Sequence, residues 1–381
     1  MATAAPSAAP AQAAASRLSA IDWMRGIVMV LMTVDHASAH FNAGRLMTDG
    51  AFMYTPGAPL PAAQFLTRWV SHLCAPTFVF LAGTALALSV EKRRAKGEPA
   101  RALDRFIVTR GLVIAALDPI WMSWAFTRPG TVLLQVLYAI GLSLILMAPL
   151  RRLSTRAMLG VSLGLIGGGE LLAGLAMWAS GGSPSIPAAL LFTGGRFPPV
   201  MIAYPLVHWL ALMMLGWAFG RSLSEGSIRP ERWLAAAGAG ALALFAGLRW
   251  LNGYGNMRLF RGDDSALQWL HVSKYPPSIT FIGLELGLMA LCLAALFALS
   301  RRSPDAPWMR PLLVLGQTAL FFYILHVHVH LAASHTLGMH KKAGVLETWV
   351  AACAAVLALY PLCVWYRRYK LAHPNGWTRY I

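Results

Sequence analysis

The residues able to do chemistry sit where an apolar sequence should exclude them. Within the hydrophobic run 21–40, Asp22, Arg25, Met29, Thr33, His36 and His40 recur at steps of three or four, so a helix places them on one side. Arg25 and His36 then stand about three turns, or about 16 Å, apart along the axis. A neutral imidazole serves as general base for a hydroxyl or amine nucleophile, or itself accepts an acyl group. Asp35 adjoins His36, but neighbours in a helix do not face each other, so Asp118, Glu285 or His72 from other segments are the better candidates to orient that ring. Arg25 suits a phosphate-bearing donor, with Arg93 and Arg94 of the basic stretch 91–105 nearby. Anchoring of the helix at an interface is the alternative reading of Asp22 and Arg25.

A second constellation lies near the carboxyl end, where His326, His328 and His330 alternate after Tyr323. On a helix His326 and His330 share the Tyr323 face and His328 points away. The i, i+4 pair has metal or haem spacing, yet no Cys or carboxylate ligand accompanies it, so no metal is expected. A catalytic or proton-relay role for one of these histidines is the stronger reading, beside the plain one of a satisfied structural hydrogen-bonder.

The elements that must position these groups follow from composition. Of 381 residues 57% are hydrophobic and only 12% charged, against about 25% charged in soluble domains. Apolar runs of about twenty residues recur, bounded by Arg, Lys, Gly or Pro, and mark an all-α polytopic membrane bundle embedded in a lipid bilayer. Ten spans are expected, at about 21–41, 68–90, 105–124, 130–150, 156–179, 200–221, 232–251, 277–299, 310–333 and 345–366. The net charge of +17 alternates from loop to loop without a basic patch interleaved with aromatics, so no nucleic-acid partner is implied. The basic loop 91–105 puts both termini on the cytoplasmic side. Residues 1–18, rich in Ala, Pro and Ser, read as a disordered tail, and 19–381 as a single transmembrane domain.

With that orientation the intramembrane polar residues His36, His72, Asp118, Gln135, His208, Glu285 and His326 gather toward the outer half from seven helices. Three outer loops, 42–67, 180–199 and 252–276, are long enough to face a substrate. Gly160, Gly164 and Gly168 form a ridge expected to pack closely against a neighbouring helix. Cys74, Cys292, Cys353 and Cys363 fall in apolar runs without metal or disulfide spacing. No internal repeat of the kind common in transporters is evident, and a homo-oligomer is compatible with the sequence.

Arg25, Gly26 and His36 match the Arg, ten residues, His pattern of the first helix in the membrane acyltransferase superfamily. More specifically, the chain resembles bacterial relatives of heparan-alpha-glucosaminide N-acetyltransferase over 21–36 (IDWMRGIVMVLMTVDH), 68–83 (RWVSHLCAPTFVFLAG), 204–220 (YPLVHWLALMMLGWAFG), 274–278 (KYPPS), 315–326 (LGQTALFFYILH) and 360–366 (YPLCVWY). The resemblance implies an enzyme of the bacterial inner membrane that moves an acetyl group from cytoplasmic acetyl-CoA to an amine or hydroxyl of an envelope glycan on the outer side. It makes His36 the base or acyl carrier between them. The lysosomal enzyme that names the family uses a His in the loop before its second helix. The loop 41–67 here has none, so His36, His40 or His72 takes that part. The competing function is a proton-coupled transporter using the same Asp, Glu and His residues.

Overall fold

In a computed structural model, residues 8–127, 129–303, 306–373, 376 and 378 are described, with side chains from Ser19 onward. The helices follow the apolar runs: α1 (Ala8–Phe41), α2 (Ala62–Trp69), α3 (Cys74–Ala95), α4 (Ala100–Leu117), α5 (Ser123–Phe126), α6 (Val136–Leu150), α7 (Thr155–Ala179), α8 (Ile186–Ala188), α9 (Leu206–Ser224) and α10 (Pro230–Leu251). They continue with α11 (Ala266–Leu270), α12 (Ile279–Arg302), α13 (Arg310–Gln317), α14 (Ala319–Thr336) and α15 (Val345–Ala372). Serine caps set several starts: Ser154 accepts from the Ala157 amide at 3.2 Å and Ser278 from the Phe281 amide at 3.0 Å. Residues 1–7 of the expected tail lie outside the described residues. From Ala8 the backbone is helical where composition predicted disorder, consistent with the high helix propensity of its Ala-rich sequence.

Among the described residues seven helical segments are long and apolar enough to cross a membrane, and the bent pair Pro307–Gln317 and Ala319–Thr336 makes an eighth if counted as one span. Two of the ten expected spans differ in kind: α1 carries charges and histidines that lower its hydropathy, and α6 has only 15 residues. The ninth is broken by 80° at Thr318, whose hydroxyl turns back to the Val314 carbonyl at 2.9 Å.

The buried α1 sits at the centre, packed against α3, α12, α13, α14 and α15. Glycine makes two of its crossings possible. A Cβ at Gly26 would collide with the Leu312 backbone, and one at Gly316 with the Asp22 backbone, so α1 and α13 touch main chain to main chain. Around this core, α9 is 83% buried over its apolar window, whereas α7 and α10 are 28% and 22% buried and face outward. The expected ridge of Gly160, Gly164 and Gly168 is on that outer face of α7, with nothing near enough to meet a Cβ. The spacing was suited to close packing, but no helix among the described residues lies against it. A small sheet of β1 (Val132–Leu134), β2 (Gly195–Phe197) and β3 (Val200–Ile202), in the order β1-β3-β2, ties two connecting segments together at one end of the bundle.

Candidate functional site

A cavity of about 1540 Å³ runs beside α1 from Asp22 and Arg25, past Met29, Met32 and His36, to Asp35, Arg45 and Arg68. Asp22, Arg25, Met29 and His36 of the α1 stripe thus wall this space rather than facing lipid, as their charges require, while Thr33 and His40 are buried off the wall.

At the middle of the wall, His36 Nδ1 lies 2.7 Å from His326 Nε2, and His326 Nδ1 lies 2.9 Å from the Phe322 carbonyl. A carbonyl only accepts, so the His326 proton is on Nδ1 and its Nε2 is a lone pair. With both rings neutral, His36 donates from Nδ1 and keeps a basic Nε2. Phe126 and Tyr323 hold the His36 ring edge-on, at centroid distances of 5.0 and 5.8 Å. His326, and not Asp118, Glu285 or His72, is therefore the residue that orients His36.

Those three candidates stand elsewhere. The Asp118 carboxylate accepts from the Gln135 amide at 2.8 Å and the Tyr138 amide at 2.7 Å, capping α6. His72 stands 3.5 Å from Asp49 and edge-on to Phe281, off the cavity wall. Glu285 is buried on α12, also off the wall, with Oε1 lacking a hydrogen-bond partner among the described residues. His328 faces away from His326, as its spacing predicted, against Trp121 at 4.7 Å. His326 and His330 do not converge on one point, since their rings are perpendicular and His326 is committed to His36.

Asp35 belongs to a buried charge lattice at one end of the cavity. Arg68 donates to it at 2.5 Å and Arg45 at 2.8 Å, and Arg45 also reaches the Asp35 carbonyl at 2.7 Å. The same Arg68 donates from Nε to Asp49 at 2.7 Å. Burial pushes the Asp49 carboxyl up, but the Arg68 guanidinium and His72 more than reverse it and hold it well below the usual carboxylate range. The Asp49 carbonyl receives the amides of Lys274 (2.8 Å) and Tyr275 (3.0 Å), which pins a third segment to the same point. Tyr275 feels opposing forces too: burial raises its phenol, while Lys274 and Arg68 bring it below its ordinary value.

The loop bearing Lys274 and Tyr275 is fastened by Arg249, fully buried, which donates to the carbonyls of Gln268 and His271 at 2.6 Å each and of Leu259 at 2.8 Å. All three long loops anticipated from sequence supply cavity walls here, through Arg45 and Phe52, Gly194 and Arg196, and Lys274 and Tyr275.

At the other end Arg25 pairs with Asp22 at 2.9 Å and reaches the Leu81 carbonyl at 3.2 Å. Gln317 links Asp22 (3.1 Å) to Arg367 (2.5 Å). Arg110, Arg367 and Lys370 join Arg25 on this wall. Arg93 and Arg94 do not. They pair with Glu98 at 3.0 Å and Glu91 at 3.3 Å, outside the cavity. A basic loop is the natural guess for an anion site, but its carboxylates are close enough in sequence to engage it locally.

Sequence reasoning did not single out Arg45, Asp49, Arg68, Lys274 and Tyr275, or Arg110, Arg367 and Lys370, as site residues. A signal existed for some of them: Arg68 opens one of the quoted family stretches and Lys274 and Tyr275 open another.

The catalytic-region model of heparan-alpha-glucosaminide N-acetyltransferase matches residues 17–254, from α1 through α10. No curated protein matches the chain. The match takes in most of the cavity wall, including His36, Asp35, Arg68 and Arg110, while Lys274, Tyr275 and His326 lie beyond it. The chain therefore belongs to the heparan-alpha-glucosaminide N-acetyltransferase family and is an enzyme of this membrane-embedded acetyltransferase group.

Proposed function

We propose that the protein transfers an acetyl group from acetyl-CoA, entering at the Arg25 end, to an amine or hydroxyl of a glycan entering at the Asp35 end. The observation that carries this reading is the single cavity joining the two ends past the free Nε2 of His36. Arg25, Arg110, Arg367 and Lys370 face one carboxylate, Asp22, on the wall of the donor end. That excess of cations suits the phosphates of a nucleotide thioester.

In the transfer, Nε2 of His36 takes a proton from the acceptor as its nitrogen or oxygen attacks the thioester carbonyl. His326 holds the ring in the required tautomer. The Tyr323 and Tyr275 hydroxyls and the cations of the Asp35 end are the donors available to the oxyanion that develops. With the Arg25 end cytoplasmic and the protein in a bacterial inner membrane, the acceptor is an envelope glycan.

Titration of the purified protein with acetyl-CoA by calorimetry tests the donor, and labelled acetyl-CoA supplied to inside-out vesicles tests the transfer. Saturable binding and labelled glycan are expected. Normal labelling by a well-folded His36→Ala variant sinks the role of that residue. Uptake of a solute that collapses with the proton gradient and consumes no donor overturns the whole reading in favour of a transporter.

A further inference from the structure

Histidines continue beyond His36, away from the cavity. His36 and His40 stand one turn apart on α1, His326 and His330 one turn apart on α14, and the two helices pack together. The first rung is closed by the 2.7 Å His36–His326 contact. Ring centroids of His326 and His330 are 6.0 Å apart, those of His40 and His340 6.1 Å, and His340 stacks on His335 at 4.1 Å. His340 is held over the end of α1 because the amides of Lys341 and Ala343 donate to the His40 and Phe41 carbonyls, each at 2.8 Å. His340 is half-buried and His335 exposed, so the series ends at the surface. None of His40, His326, His330 or His340 lines the cavity.

His40 and His330 are 3% and 1% exposed, yet both nitrogens of His40 and Nε2 of His330 have no hydrogen-bond partner among the described residues. Buried polar atoms left so are rare and demand an occupant or a function. The rings of His326 and His330, and those of His40 and His340, are about 6 Å apart, a spacing that a bridging water fits. His340 Nδ1 meets the Ser334 hydroxyl at 3.1 Å, but the buried His40 ring and Nε2 of His330 make no such contact among the described residues, where apolar side chains would fill the space at no desolvation cost.

We propose that His326, His330, His40 and His340 carry protons between His36 and the surface at His335. The inference rests on the transfer reading, and the proton balance of that reaction supplies its need. When an ammonium acceptor is acylated, a C–N bond forms, the C–S bond breaks and the nitrogen gives up two protons. One ends on the departing thiolate as thiol, and the other is surplus. While donor and acceptor fill the cavity, His36 passes its Nδ1 proton to Nε2 of His326. His326 then leaves the Phe322 carbonyl to release its own Nδ1 proton toward His330, and a tautomer shift resets each ring. A hydroxyl acceptor has no surplus, because its one proton ends on the thiolate.

The test compares wild type with His40→Gln and, to disturb the interior less, with His340→Gln at the half-buried end of the series, using acetyl-CoA with glucosamine as the amine probe. Both variants are expected to bind acetyl-CoA as wild type does and to lose kcat at least several-fold. Their solvent deuterium isotope effect should rise, and imidazole added to the buffer should restore the rate. Wild-type kcat and isotope effect in both variants overturn the relay and leave the transferase intact. A loss that imidazole does not restore also overturns it, as the mark of a purely structural role. Absence of acetyl transfer by the wild-type protein itself overturns the transfer reading and the relay with it.

Discussion

The two ends of the cavity are both basic and are built on opposite principles. At the Asp35 end the two arginines of the lattice are locked to carboxylates: Arg68 bridges Asp35 and Asp49, and Arg45 holds Asp35 by side chain and main chain, with both carboxylates almost fully buried, while Lys274 lies beside them over the Tyr275 ring. At the Arg25 end one carboxylate, Asp22, is shared with Arg25 and Gln317, while Arg110, Arg367 and Lys370 crowd the same wall. The first arrangement satisfies its own carboxylates and ties the segment after α1 and the one bearing Lys274 and Tyr275 to α1 and α2. The second holds positive charge in excess of its own carboxylates, which is what a site for an anionic ligand requires. Basic residues near a cavity therefore do not all mean ligand binding, and the count of buried acidic partners separates the two cases.

The largest effect should come from breaking the self-satisfied lattice. Arg68→Ala leaves two buried carboxylates without their shared cation, and removal of one partner from a buried pair costs about 3–5 kcal/mol. The expected outcome is a steep fall in melting temperature in detergent, with little folded protein recovered. Between the ends, His36→Ala should leave melting and acetyl-CoA binding near wild type and lower kcat by about a hundred- to ten-thousandfold, the usual contribution of a general base.

At the Arg25 end the contrast predicts a binding defect with folding preserved. Arg110→Ala should weaken acetyl-CoA about tenfold, the scale of one charge-assisted hydrogen bond, with melting unchanged. If Arg110→Ala instead destabilises the protein as Arg68→Ala does, the distinction between the ends fails. Arg93→Ala and Arg94→Ala, engaged with Glu98 and Glu91 outside the cavity, should leave donor affinity untouched.

The smallest effect is one of pH. Because the Asp49 carboxyl is held below its ordinary value in the folded protein, its stabilisation is fully present above the unfolded value of about 4 and fades as pH falls toward the folded one. The melting temperatures of wild type and Asp49→Asn should therefore differ most at neutral pH and converge on acidification. A gap that widens in acid would contradict the ion pairing drawn for Asp49.

Some of this was legible in the sequence because it is local. The stripe on α1, the common face of His326 and His330 and the outward turn of His328 all follow from 3.6 residues per turn. The three loops lining the cavity were marked by their length and their Pro and Gly content. Locality also misled. Arg93 and Arg94 looked like a donor site because they cluster, and Gly160, Gly164 and Gly168 looked like a packing ridge because of their spacing. Whether a neighbouring chain segment or only the outer surface lies opposite is not written in either pattern.

The amino-acid sequence by itself determined that this is a helical membrane protein and that one face of its first helix had to be shielded from lipid, since ionisable groups in hydrocarbon are too costly to leave exposed. Only the tertiary structure decided which groups meet there. The His36–His326 contact joins residues 290 positions apart, and Arg68 reaches Asp35 across 33. Such pairings depend on how helices cross and on which carboxylate a cation finds through space, and helical periodicity carries no information about either.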